Sequence, residues 1–167
     1  MKKTLLAIVV FGIWAPLACA ETFQVARSIP YAEDAEIAGK IVRECKLQTQ
    51  LAEFIKVFGA KNGHSIELVD VLDEASEGKV LVIEIRDAVS EGNAFLGHRK
   101  STSARGKLLD HGVEVANFKV LRNSMGGAFA GYKGSCSVLG RTVKIIGEDI
   151  AKWLTAPSKD AMLGDLQ

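Results

Sequence analysis

Residues 22–29, TFQVARSI, alternate apolar and polar positions, which predicts a first strand that Pro30 ends. Residues 32–63 change period. Ile37, Ile41, Cys45, Leu51, Phe54, Ile55 and Phe58 recur at spacings of three and four, with one slip near Gln48, and predict a long helix. Glu33, Asp34 and Glu36 crowd its expected start, where the helix dipole favours acids, and Gly59 or Gly63 is its expected stop. Gly39 inside it would be tolerable where another backbone packs close. Alternation resumes over His64–Val71, and again over Lys79–Val89, where Leu81, Ile83 and Ile85 share one face and Val82, Glu84 and Arg86 the other. After a loop at 90–98, the runs 99–109 and 113–122 flank Asp110-His111-Gly112 and predict a hairpin. Leu139, Val143, Ile146, Ile150 and Trp153 or Leu154 mark a second helix, capped by Ser135 or Ser137. Residues 157–167 read as a loose polar tail. Strand, helix, four strands, helix implies an α+β fold: an antiparallel-rich sheet of four to five strands with two helices packed on one face.

The first twenty residues do not belong to that pattern. Lys2 and Lys3 precede the apolar run Leu5–Trp14, and Ala18-Cys19-Ala20 is a small-x-small cleavage pattern. This is the form of a secretory signal peptide, too short for a membrane span. Cleavage after Ala20 would leave a single domain at 21–156 and the tail, in the periplasm or outside the cell. Leu17-Ala18-Cys19 is nearly a lipobox, but Pro16 stands where a leucine is usual, so a lipid anchor on Cys19 is the secondary reading. Cleavage also leaves two cysteines, Cys45 and Cys136, which an oxidising compartment is expected to join; two separate buried thiols are the alternative. Side-by-side helices would bring mid-helix Cys45 to Cys136 at the start of the second helix, so the pairing and the fold agree.

Charge is unevenly placed. Residues 21–97 hold 8 basic and 14 acidic side chains, and residues 98–144 hold 9 basic and 2 acidic. In the predicted hairpin, Arg99, Arg105 and Lys107 share a face with Ser101 and Ser103, while Thr102, Ala104, Gly106 and Leu108 face the helices. On the partner strand Ala116, Phe118 and Val120 suit the helix side and leave Asn117 and Lys119 outward. The expected result is a basic sheet face around Arg99, Arg105, Lys107 and Lys119, a footprint for an anionic partner. The competing readings are a solvated sheet face, or basic residues that balance the acidic first helix. Nucleic acid is a poor candidate, because export leads away from it and few aromatics interleave the charges.

Other chemistry is sparse. NSMGGAFAGYKGSCSVLGR, 123–141, sets glycines before a helix, but Lys133 precedes Gly134 and Ser135, so the phosphate-loop order fails, as does the dinucleotide fingerprint. What remains is a generic anion site at a helix mouth formed by Lys133, Gly134 and Ser135, against the simpler reading of a connector into a tethered helix. His64, His98 and His111 have no partner at metal-ligand spacing. Ser101-Thr102-Ser103 lacks a nucleophile elbow, and the cysteines lack Cys-x-x-Cys spacing. No catalytic residue, metal or cofactor is expected. An enzyme using Cys136 or His98 is the residual case, the former only with free thiols.

The stretch GGAFAGYKGSCSVLGR followed by a terminal helix ending IGEDIAKWL resembles small proteobacterial envelope domains of unknown function, similar in outline to the amino-terminal α/β domain of TolB. The likeness covers most of residues 22–155 and carries no active-site motif. It implies an interaction or assembly module that binds an envelope protein or an anionic cell-wall or lipid component. The alternative is a secreted inhibitor or immunity-type protein occluding an enzyme with loop 91–98 or 123–134. The sequence leaves the oligomeric state open.

Overall fold

The computed structural model describes residues 21–93, 97–125 and 134–167, and of 91–93, 97–99 and 125 it describes the backbone only. Six strands and three helices follow one another as β1 (Thr22–Ala26), α1 (Gly39–Glu44), α2 (Leu47–Lys61), β2 (Ser65–Val69), β3 (Lys79–Asn93), β4 (Gly97–Asp110), β5 (Val113–Met125), α3 (Ser135–Trp153) and β6 (Ala161–Gly164). The strands form one sheet in the order β2-β1-β3-β4-β5-β6. It is mixed: β1 runs parallel to β2 and β3, β3-β4-β5 is an antiparallel meander, and β6 runs parallel to β5. The α+β class with helices on one face holds, with one more strand than the upper expectation and a third helix. α2 and α3 return the chain for the β1–β2 and β5–β6 parallel pairs, and segment 70–78 does so for β3 beside β1.

Period-2 alternation builds the core. Phe23, Val25, Leu81, Ile85, Leu108 and Phe118 point to one face of the sheet and are buried. They meet the stripe of α2, Leu51 and Ile55, and that of α3, Leu139, Val143, Ile146 and Ile150. The two helices touch at Gly147, where an added Cβ would lie 2.7 Å from Cβ of Phe54 and 3.1 Å from the backbone nitrogen of Ile55.

The single long helix expected at 32–63 is instead a short α1 and a longer α2. Ile29 is fully buried, and the chain beyond it bridges to β3 at Tyr31 and then turns: the Ile85 N–H donates to the Pro30 carbonyl and the Ala32 N–H to the Ile85 carbonyl, both at 2.9 Å, and the Ala35 N–H closes a turn on the Ala32 carbonyl at 3.0 Å. Pairing with β3 thus holds this segment out of the helix that its composition favours. Asp34 then serves not a helix dipole but Arg86, through bonds of 2.5 and 2.8 Å. The slip near Gln48 marks the break between the helices, where Lys46 adopts a left-handed backbone at φ 48°. Gly39 is the first residue of α1, with only the Arg43 side chain close by, so no backbone approach explains it.

The tail expected to be loose carries β6. Its parallel ladder with β5 sets Phe118 opposite Ala161 and Leu121 opposite Gly164. Asp165, just beyond, accepts bonds from the Asn123 backbone N–H at 2.6 Å and from Arg122 at 2.9 Å. Arg122 also grips Asp149 of α3 through two bonds of 2.7 Å. One guanidinium therefore joins β5, α3 and the C-terminal segment. Its donors hold fixed forks that suit two carboxylates at once.

Candidate functional site

The helices cover one face of the sheet. The opposite face carries the alternate positions Gln24, Glu67, Glu84, Arg105 and Lys119, the last two exposed. Segment 70–78, crossing from β2 to β3, lies over part of it, and Glu74 reaches Lys107 at 2.8 Å. At the other side the chain entering β6 is fixed by a bond from the Asp160 N–H to the Asn117 side-chain oxygen, at 2.7 Å. Between these walls lies a trough of about 660 Å³, floored by Val82, Glu84, Arg105, Lys107, Asn117 and Lys119. Pro30, Glu74 and Asp160 line its rim.

The hairpin faces fall as the alternation predicts. Thr102, Ala104 and Leu108 are buried on the helix side, with Ala116, Phe118 and Val120 beside them, and Asn117 and Lys119 point outward. Ion pairs cross the expected basic face. Arg105 pairs with Glu84, which also receives Arg86 at 3.4 Å, and Lys107 pairs with Glu74. The acidic first half of the chain is folded against the basic second half, so the face is a lattice of alternating charge. The guanidinium of Arg86, hydrogen-bonded to Asp34, holds that carboxyl below the usual aspartate range. Lys119 differs: no ion pair or hydrogen bond reaches its side chain among the described residues. Arg99 falls on β4 opposite Met125 in register, and its side chain lies outside the described residues.

The second candidate site is placed only in part. Gly134 is the exposed N-cap of α3, and Lys133 lies outside the described residues. Ser135 does not cap the helix; its hydroxyl accepts a 2.7 Å bond from the Ser90 hydroxyl of β3. Nearby, buried Thr102 and Thr142 share a 2.7 Å bond, and Thr142 donates onward to the Leu139 carbonyl. Lys100, counted among the basic residues of the hairpin, is buried on this helix-facing side at 5% exposure.

Cys45 and Cys136 form the disulfide, joining the C-cap of α1 to the first turn of α3. His64 packs edge-on against Phe23, and His111 occupies the β4–β5 turn at φ 50°. The side chain of His98 lies outside the described residues. Among the described residues, no three His, Cys, Asp or Glu side chains converge as metal ligands would.

Sequence reasoning missed the walls of the trough and the Arg122 clasp. Both join segments far apart in the chain, and no local spacing announces them. The alternation of Glu84 and Arg86 opposite Arg105 was the one usable sign that the cations would be paired.

No family model matches the chain, and no curated protein matches it. Among solved structures, a DUF330-family protein from Xanthomonas campestris is similar over 89% of this chain and 91% of its own, with a TM-score of 0.51 and 15% identity. At that identity the likeness shows the fold alone. PelC from Paraburkholderia phytofirmans, solved as a dodecamer, is similar over 77% of this chain and 87% of its own, with a TM-score of 0.49 and 11% identity. A minor lipoprotein from Acinetobacter baumannii is similar over 81% and 93%, at 0.46 and 11%. The DUF330-family protein does not bear an enzyme's name, and the resemblance to TolB is not shown by these matches.

Proposed function

We propose that this chain is a non-catalytic envelope module that docks a partner protein through the outer face of its sheet. The observation that carries this reading is the trough on the face the helices leave uncovered. It is walled by three segments distant in sequence and floored by charged side chains from three adjacent strands. Such a site can bind and orient, and among the described residues no nucleophile paired with a base stands in it. Polar, charge-bearing surfaces of this kind set partner choice and register more than raw affinity.

Export fits the same reading. Residues 1–20 have signal-peptide character, and β1 begins at Thr22, so cleavage after Ala20 removes nothing from the described fold. Glu21, the new first residue, keeps its ion pair with Lys79. Among the described residues no helix is long and apolar enough to cross a membrane. The intact mass of the protein recovered from the envelope separates a free Glu21 terminus from an acylated Cys19.

The test of docking is a pull-down from envelope extract with the chain from Glu21, beside a variant carrying Arg105→Glu, Lys107→Glu and Lys119→Glu. A partner held by the natural chain, weakened by salt and lost by the variant is the expected result. A partner held equally by both would move docking to another surface.

A further inference from the structure

Arg105 and Lys119 stand directly opposite each other on β4 and β5. Like charges in register across two strands repel. Arg105 is relieved by Glu84, its partner on the other side, and Lys119 has no such relief among the described residues. A fold that neutralises Arg86, Arg105 and Lys107 on one face has, among the described residues, left the Lys119 ammonium beside a guanidinium. Departures of this kind from local consistency gather at functional sites.

Resting on the docking face described above, we infer that Lys119 and Arg105 are the anchor for one carboxylate, an Asp or Glu side chain on an extended segment of the partner protein. The rest of the trough fixes this chemistry. Glu74, Glu84, Glu114 and Asp160 line it together with the three cations. A polymer of uniform negative charge would meet these carboxylates on either side of the anchor. A segment with one acidic residue flanked by neutral or basic ones meets opposite charge, or none, at every step. Asn117 is committed to Glu114 and to the Asp160 N–H, which leaves Lys119 as the donor available to a ligand. Half-exposed Met162 of β6 lies opposite Lys119 and offers an apolar contact beside the anchor. Three inter-strand steps, from β3 to β6, span about 14 Å, the length of roughly four extended residues.

The test is a titration of the ¹⁵N-labelled chain from Glu21, followed by backbone amide shifts, with two pools of capped hexapeptides. In one pool a central Glu is flanked by randomised neutral residues and lysine; in the other Gln replaces the Glu. Poly-glutamate and inorganic phosphate are the further probes. The expected result is that the Glu pool moves the amides of Arg105, Asn117 and Lys119, and that the Gln pool binds about fivefold more weakly, as the loss of one charge-assisted bond implies. Lys119→Gln should weaken the Glu pool by a similar factor without lowering the melting temperature, since it removes a repulsion from an exposed position. Equal responses to the two pools, a response unchanged by Lys119→Gln, or tighter binding of poly-glutamate or phosphate would each overturn the assignment. If the triple charge reversal abolishes partner capture while Lys119→Gln leaves capture and peptide response intact, the docking face stands and this anchor falls.

Discussion

The Cys45–Cys136 bridge closes a loop across a sequence separation of 91 residues, from the α1 C-cap to the first turn of α3. Replacing both cysteines by alanine leaves the native contacts of α2, α3 and the sheet in place but frees that loop in the unfolded chain. Chain-entropy arithmetic for a loop of this size gives about 4.6 kcal/mol. A domain of this class holds about 5–15 kcal/mol in all, so the bridge supplies a third or more of the margin. Cys45 is only 3% exposed, so the lost sulfur contacts act in the same direction. The assay is urea unfolding of the mature chain, oxidised and as the double variant. With a slope near 2 kcal/mol/M, the midpoint should fall by about 2 M. The slope should rise a little, because an unbridged unfolded chain exposes more surface. A loss under about 1.5 kcal/mol would refute the entropic reasoning and imply that the unfolded chain already keeps these segments together.

Arg122→Leu should cost about 2–3 kcal/mol, because Asp149, with a side chain 13% exposed, loses its bidentate partner while Asp165 loses a bond; thermal unfolding should begin about 5–10 °C lower, and an unchanged midpoint would show that the clasp is ornamental. Asp165 is held below the ordinary aspartate range first by the Asn123 N–H and then by Arg122. Its pKa is lower folded than unfolded, so its contribution is complete above about pH 4 and is lost as pH falls through the folded value. Asp165→Asn should therefore be less stable than the natural chain at pH 7 and closer to it at pH 2.5, and parallel pH profiles would contradict the assignment. Gly147→Ala should destabilise by about 1–3 kcal/mol by forcing α2 from α3, read by chemical denaturation. Lys119→Gln should gain about 0.3–1 kcal/mol in the same assay.

Local pattern carried much of the fold. Alternation assigned the inner face correctly for Leu81, Ile83 and Ile85 and for Thr102, Ala104, Leu108, Ala116, Phe118 and Val120, because a strand's period of two is imposed by the backbone itself; past Ile85 a bulge shifts the register and turns Ala88 inward. The apolar stripe from Leu139 to Ile150 likewise placed α3 against the sheet. Where local preference and tertiary pairing disagreed, pairing prevailed. The helix-favouring residues just after Pro30 are held in a bridge and a turn because Ile85 bonds Pro30 and Ala32, and residues 161–164, too short to read as a strand, become one beside β5. The candidate site divides in the same way. Arg105, Lys107 and Lys119 were legible as outward cations and Glu84 as an outward acid, while the pairing of Arg105 with Glu84 and of Lys107 with Glu74 was not.

By itself, then, the amino-acid order determined the class of fold, the burial side of the central strands β3, β4 and β5, and the cysteines that would meet, since each follows from periodicity or from the number of groups present. Only the tertiary structure decided the mixed order of the sheet, the pairing of Arg105 and Lys107, and the lack of a partner for Lys119 among the described residues. Those depend on which distant segments share an edge or a face. Coulomb interactions and backbone pairing act over distances in space, and the chain brings residues tens of positions apart within hydrogen-bond reach only once it has folded.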